Sequence, residues 1–294
     1  MEKANSQQPT ANSSTVAFQG EVGAYSEAAA RVLFPGCTPV ARASFEEVFA
    51  AAERGAVERA VVPIENSLFG SVHVNYDLLR AHELRIVGEL QLRVRHHLMA
   101  LPGATLQGIR EVHSHPQALG QCQEFLKARL PQAEAVPAYD TAGSAKMVAA
   151  QRDAGIAAIA SARAAAEYGL AVLAEGIESN QRNYTRFLAL ARPADAASEA
   201  AASEAGFKTS LVCALRENVA GSLFKGLAVF ALRDINLFKI ESRPLVGSPG
   251  DYLFYFDVSG AADDPVVHRA LDHLGELASY LKILGSYPRG RTVE

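Results

Sequence analysis

Small polar side chains collect where short apolar runs give way to helical patterns. Ser26 follows VAFQG (16–20), Asn66 and Ser67 follow AVVPIE (60–65), Ser114 stands before Pro116, Asp140 and Thr141 open a helical stretch, and Ser161 ends IAAIAS (156–161). Ser, Thr and Asp are favoured helix N-caps and Pro suits a first helical turn, so each of the helix junctions has a purely structural explanation. Together they imply more. Several helix N-termini at the C-terminal ends of parallel strands form a crevice in which free N–H groups and helix dipoles hold carboxylates, so a dianion could bind without an arginine cluster. Asn66 and Ser67 add an amide and a hydroxyl at a strand end, although the same residue types dominate turns. His115 has the right ordinary pKa for a general acid; beside Pro116, capping or orientation explains it equally well. The adjacent His96 and His97 lack metal-ligand spacing and are read as part of a crossing strand.

The elements that must position these groups alternate. From Val16 to about Arg192, apolar runs and helical patterns follow one another as β-α units, which predicts a mainly parallel sheet. FEEVFAAAERG (45–55), PQALGQCQEFLKARL (116–130) and ARAAAEYGL (162–170) read as helices, and TRFLALAR (185–192) reads as a strand. Residues 193–206 (PADAASEAAASEAG) hold no large apolar side chain that could bury a face, so they read as a linker or a short solvated helix. Beyond it the order is strand, helix, strand, strand, helix, strand, from KTSLVCAL (208–215) to SYLKILGSYP (279–288), the βαββαβ ferredoxin-like unit.

Composition closes off several function classes. With 49% hydrophobic and 20% charged residues the chain is an ordinary globular protein. A net charge of -4 without a basic block argues against a nucleic-acid partner. Cys37, Cys122 and Cys213 show neither disulfide nor zinc spacing, which fits a reducing compartment. No stretch is apolar enough for a bilayer, so no membrane partner is expected, and residues 1–15 read as a disordered polar tail without secretory features.

Nine segments, in order and at matching spacing, resemble the prephenate and arogenate dehydratases. They are FQGEVGAYSEAA (18–29), PIENSLFGSVHVNYDLL (63–79), SHPQALGQC (114–122), DTAGSA (140–145), AAIASARAA (157–165), NYTRFLAL (183–190), GSLFKGLAVF (221–230), IESRP (240–244) and LGSYP (284–288). The resemblance implies an α/β chain. Residues 16–192 would be a bilobal catalytic domain like a type II periplasmic binding protein, with one lobe at about 16–95 and 175–192 and the other at about 96–174. After the linker, 207–288 would be an ACT regulatory domain, and 289–294 a tail.

The family expels a ring hydroxyl and a ring carboxylate together, turning prephenate into phenylpyruvate or arogenate into phenylalanine. Because the product is aromatic, no cofactor or metal is expected. The resemblance makes Thr185 the catalytic residue beside the leaving hydroxyl, where a directed hydrogen bond would strengthen as oxygen departs; a strand start alone would also favour a β-branched residue. It makes Asn66, Ser67, Ser114, Gln121, Thr141, Ser161, Arg186 and Phe187 substrate-binding residues. Ser114 and Gln121 lie seven apart, two turns if one helix carries both, and Arg186 could pair with a substrate carboxylate or brace the cleft. Phenylalanine, the expected effector, would meet Gly221, Leu223, Asn236, Leu237, Glu241, Ser242, Arg243 and Pro244, with Phe238 standing where relatives commonly have Thr or Ser. A homodimer or homotetramer is implied as well. Lacking a recognisable transit peptide, the chain reads first as a cytoplasmic prephenate dehydratase, or a plastid-stromal enzyme if the source is a plant or alga. The alternatives are an arogenate dehydratase and a noncatalytic amino-acid sensor.

Overall fold

The computed structural model describes residues 14–196, 206–245 and 247–294; most of the expected N-terminal tail and residues 197–205 of the expected linker lie outside them. The first elements are β1 (Thr15–Gln19), α1 (Tyr25–Leu33), β2 (Thr38–Arg42), α2 (Phe45–Glu53), β3 (Arg59–Asn66), β4 (Gly70–Ser71), α3 (His73–Ala81) and β5 (Arg85–Arg93). The next are β6 (His97–Ala100), β7 (Glu111–Ser114), α4 (Pro116–Gln121), α5 (Gln123–Arg129), β8 (Glu134–Pro137), α6 (Thr141–Gln151), β9 (Ile156–Ala160), α7 (Ala162–Tyr168) and β10 (Ala171–Ala174). The chain then returns through β11 (Tyr184–Ala191) to a short α8 (Pro193–Ala196). The central strands are apolar on both faces, as strands sandwiched between layers must be: Val16, Ala17 and Phe18 of β1 and Ala60, Val61 and Val62 of β3 are all buried.

These strands form two sheets, ordered β5-β11-β3-β1-β2, with β4 beside β3, and β10-β6-β9-β7-β8. The mainly parallel sheet read from the β-α alternation is corrected here. β1, β2 and β3 are parallel to one another, as are β7, β8 and β9, but β11 runs antiparallel to β3 and β5, and β6 and β10 run against their neighbours. The reason is connectivity: strands that cross between sheets have no helical crossover to restore their direction. The result is a bilobal α/β architecture, with crossings between β5 and β6 and between β10 and β11.

Behind the cleft the lobes are fastened through the loop before α1. Ser161 donates to the Gly23 carbonyl (2.7 Å) and Tyr168 to that of Val22 (2.8 Å). Gly23 has φ +93°, and a Cβ there would come within 2.7 Å of the Ala164 Cα, so only glycine permits this approach. Glu27 of α1, 1% exposed, accepts from the Gly23 N–H (2.7 Å), from Arg31 (2.8 Å) and from Arg163 of α7 (2.7 Å). Burial alone would raise its pKa, but the hydrogen bonds from Arg163, Gly23 and Arg31 outweigh burial and hold it below the ordinary value. A depressed carboxylate contributes stability above its unfolded pKa of about 4.3 and loses it as pH falls through the folded value. Glu27→Gln should therefore cost about 1–3 kcal/mol at pH 7. In urea titrations from pH 7 to pH 3 the gap to wild type should narrow below about pH 4.3; a gap constant with pH would refute the ionic role.

The C-terminal unit is β12 (Phe207–Leu215), α9 (Ser222–Ala231), β13 (Leu237–Pro244), β14 (Tyr252–Ser259), α10 (Pro265–Leu277) and β15 (Ala278–Pro288), the expected βαββαβ order, with sheet order β13-β14-β12-β15. Its helices cover one face over Val229, Phe230, Leu271 and Leu274. The other face shares a core with the first lobe: Val212, Tyr255, Leu284 and Tyr287 cluster with Val62, Tyr76 and Leu188. Gly285 lets β15 meet β5 backbone to backbone, since a Cβ there would lie 2.2 Å from the Ile86 carbonyl oxygen. Residues 289–294, expected as a tail, instead hold a strand, β16 (Thr292–Val293), parallel to β5. Glu294 there pairs with Arg93 (2.7 Å) and accepts from the Tyr184 hydroxyl (2.8 Å).

Candidate active site

A cleft of about 560 Å³ opens between the two lobes, and Thr185, at the start of β11, lies in its wall. Strand pairing fixes Thr185 opposite Asn66, the last residue of β3, and the two side chains meet: Asn66 Nδ2 donates to Thr185 Oγ1 (3.0 Å) and to Asn183 Oδ1 (2.8 Å). The amide cannot be turned round, because Asn66 Oδ1 accepts from the backbone N–H groups of Leu68 (2.9 Å) and Phe69 (3.1 Å) in the tight turn to β4. A hydroxyl that accepts from an amide keeps its own hydrogen free to donate elsewhere. Here the open direction is the cleft.

The remaining lining mixes apolar side chains, such as Phe45, Phe69 and Val94, with polar ones and is short of cations. Gln121 at the end of α4, Thr141 at the start of α6, and the N-terminal residues Ser44, Phe45 and Glu46 at the start of α2 all line the cleft, and no Lys or Arg is among its described lining residues. Ser44 caps α2 by accepting from the Glu47 N–H (3.3 Å), and Asp140 caps α6 through Gly143. Helix N-termini thus supply positive potential where side chains do not. Asp140 also lines the cleft; burial, the largest influence, pushes its carboxyl above the usual range. His115 caps α4 by accepting from the Gln117 N–H (3.2 Å), and burial lowers its pKa. Across the rim the Tyr139 hydroxyl donates to the Ala43 carbonyl and accepts from Gln19 Nε2 (2.8 Å), joining the lobes.

Of the expected substrate-binding residues, the fold brings Asn66, Gln121 and Thr141 together with Thr185. Five others are placed elsewhere. Ser67 braces β11 by donating to the Arg182 carbonyl (2.9 Å) and accepting from the Tyr184 N–H (3.0 Å). Ser114 is fully buried and donates to the Ile159 carbonyl (2.6 Å); it ends β7, so it shares no helix with Gln121. Ser161 caps α7 and holds the Gly23 loop. Phe187 is buried against Val16, Ala30 and Leu90 under α1.

Arg186 follows Thr185 on a strand, so its side chain leaves by the opposite face. There it pairs with Glu89 of β5 (2.7 Å) and Asp257 of β14 (2.7 Å) and donates to the Tyr287 hydroxyl (3.1 Å). Lys208 adds a second cation on Glu89 (2.7 Å), and Ser210 donates to Asp257 (2.5 Å). Burial disfavours the Glu89 carboxylate, but Arg186 and Lys208 more than offset it and hold its pKa down.

A second cavity of about 370 Å³ in the C-terminal unit is lined by Gly221 and Leu223, but not by the other expected effector residues. The side chains of Glu241 and Arg243 instead face the first lobe from β13: Glu241 accepts from the cleft-lining Ser71 (2.6 Å) and Arg243 pairs with Asp77 (2.6 Å). Leu237 packs on the helix-covered core, Ser242 and Pro244 are exposed on the edge strand, and the Asn236 carbonyl accepts from the Ser259 N–H (2.9 Å). Phe238 is held between two cations, Lys208 at 5.2 Å and Arg289 at 4.4 Å from its ring centre. Residues without a site role in the sequence reading also line the cleft: Asn183, Tyr25 and His96, the last read only as part of a crossing strand.

The model of the family described as prephenate dehydratase matches residues 16–195. The chain belongs to the prephenate dehydratase family. As a family member it is a dehydratase of the lyase class. It is 49% identical over 287 residues to the Arabidopsis thaliana protein named arogenate dehydratase/prephenate dehydratase 2, chloroplastic, covering 95% of this chain and 74% of that one. A prephenate dehydratase from Arthrobacter aurescens, solved in complex with L-Phe, superposes with a TM-score of 0.85 at 35% identity over 94% of this dehydratase and 90% of that chain. A further solved structure, GqqA, described as a novel type of quorum-quenching acylase, superposes with a TM-score of 0.84 at 37% identity over 94% and 98% of the two chains.

Proposed function

We propose that this chain converts arogenate to phenylalanine, with prephenate as the poorer substrate. In that reaction the C–C bond to the ring carboxylate breaks and its electron pair enters the ring as carbon dioxide leaves. The C–O bond to the ring hydroxyl breaks on the other side of the ring, and the departing oxygen leaves as water after taking one proton. The observation that carries the reading is the Thr185 hydroxyl, which accepts from a fixed Asn66 amide and so has its hydrogen available to the departing oxygen. Such a donor counts most where charge develops in the transition state. Asn66, Gln121 and Thr141 are the substrate-binding residues of this proposal.

The lining chemistry supports arogenate over prephenate, the reading preferred from the sequence. Prephenate carries two negative charges, whereas the ammonium of arogenate leaves one. A cleft lined by Glu46 and Asp140, with no Lys or Arg among its described lining residues, suits the second. The Arabidopsis relative, whose name places arogenate first, supports the same order. An acylase reaction lacks comparable support, since it needs a nucleophile beside a base, and the side chain bonded to Thr185 is an amide.

Phenylalanine is the effector in this proposal, supported by the βαββαβ unit, read as an ACT domain at 207–288, and by the L-Phe complex of the Arthrobacter relative. The catalytic part is then 16–192, and pairing of ACT domains gives a homodimer or homotetramer. The compartment follows the source, plastid stroma in a plant or alga and cytosol in a bacterium. Side-by-side kcat/KM values on the two substrates test the reading, with arogenate expected to lead by about tenfold. Equal or better turnover of prephenate would return the main activity to that acid, and turnover of neither would remove the dehydratase assignment.

A further inference from the structure

His96 sits where β5 crosses to the second lobe, one residue before β6, and lines the cleft beside Gln121. The second crossing is tied to the same place. Ile177 donates its N–H to the His96 carbonyl (2.9 Å), Glu178 accepts the His96 N–H (2.9 Å), Ser179 donates to the Gln121 carbonyl (2.8 Å), and Val94 donates to that of Asn183 (2.8 Å).

From this point a chain of side-chain hydrogen bonds runs to Thr185, and its polarity can be read from end to end. Asn66 is fixed by the Leu68 and Phe69 N–H groups, so its amide nitrogen donates to Asn183 Oδ1 (2.8 Å). Asn183, fully buried, must then turn its own nitrogen to Gln121 Oε1 (2.8 Å). That oxygen also faces His96 Nε2 at 2.5 Å. An acceptor on Gln121 requires a proton on Nε2, which sets the tautomer of His96. Its other nitrogen faces the Tyr25 hydroxyl oxygen at 3.3 Å, and that hydroxyl donates to the Arg95 carbonyl.

We propose that His96 is a positioning residue for the dehydration: its Nε2–H holds the Gln121 carboxamide, Gln121 holds Asn183, and Asn183 together with the turn N–H groups keeps the Asn66 amide seated against the Thr185 hydroxyl. Gln121 is a flexible side chain with a carboxamide of nearly symmetric shape. Asn183 secures it from one side, and His96 supplies the second donor that leaves it one orientation. The crossing segments therefore carry both the joint between the lobes and the end of the chain of bonds. The proposal rests on the reading of Thr185 as the donor to the leaving oxygen.

The test compares three variants of the full chain on arogenate. Glutamine can set an N–H where Nε2 stands, asparagine is too short to do so, and leucine has none. His96→Gln should keep kcat within about threefold of wild type, while His96→Leu and His96→Asn lower it about 10- to 100-fold with KM changed by less than about threefold, the cost of a misplaced reacting group. The kcat–pH profile of His96→Gln should overlay that of wild type. If His96→Leu does not fold, His96→Asn carries the same comparison. Wild-type turnover by the asparagine variant, or a glutamine variant as impaired as the others, would overturn the proposal. Loss of a pH limb in the glutamine variant would overturn it too, because it would make His96 a proton donor. Wild type and Thr185→Val run alongside. Their difference tests the underlying reading whatever the His96 variants do, and a wild type inactive on both substrates would end both.

Discussion

Thr185→Val is expected to lower kcat on arogenate about 100- to 1,000-fold, the loss typical of one donor aimed at developing oxyanion charge. Valine keeps the shape of threonine, so the strand pairing of Thr185 with Asn66 and Leu92 should persist. What disappears is the hydroxyl alone. KM should move only a few-fold, because the hydrogen bond strengthens as the oxygen leaves and little of it is present in the bound substrate. The change also strands one Asn66 N–H, which costs about 1–3 kcal/mol of stability, so kinetics should be read well below the melting temperature. Thr185→Ser restores the donor and should recover most of the activity. A valine variant with kcat within a few-fold of wild type would remove Thr185 from the chemistry.

The second large effect is on stability. Arg186→Met should cost about 3–5 kcal/mol, the range for breaking a buried ion pair from one side, because Asp257 loses its cation and Glu89 keeps only Lys208. Arg186→Lys should recover only part, since an ammonium cannot reach both carboxylates with the fork of a guanidinium. Urea midpoints measure the loss, and KM of the folded fraction separates this role from the other one raised by the sequence. A methionine variant as stable as wild type, with KM raised tenfold or more, would put Arg186 on a substrate carboxylate after all.

Much of the fold was legible because local rules and global architecture agree. Asp140 and Ser161 cap the helices that follow them, and the apolar runs of β1, β3, β9 and β11 became buried strands. Strand direction was not legible, because a run such as TRFLALAR is equally apolar whether it enters its sheet parallel or antiparallel. Some of the site could have been read further. Alternation along β11 separates Thr185 from Arg186, and it puts Asn183, two residues before Thr185, on the face where the structure finds it. The family motif, which joins Thr185, Arg186 and Phe187 in one string, pulled the other way. β13 misled for a related reason: its inward side chains Lys239, Glu241 and Arg243 are charged because they meet Glu65, Ser71 and Asp77, not a core. His96 reads in the sequence only as part of a crossing strand, and it does lie at the crossing from β5 to β6; its contact with Gln121 was not legible, since it exists only once both crossings are folded.

The apolar cluster shared by Tyr255, Leu284, Tyr287, Val62 and Leu188 bears on how heat acts on the molecule. Neither unit has a full interior without the other, so the two should melt as one cooperative body. Any small molecule gripped by the C-terminal sheet would then raise the melting point of the strand that carries Thr185, by mass action alone and with no lever between them.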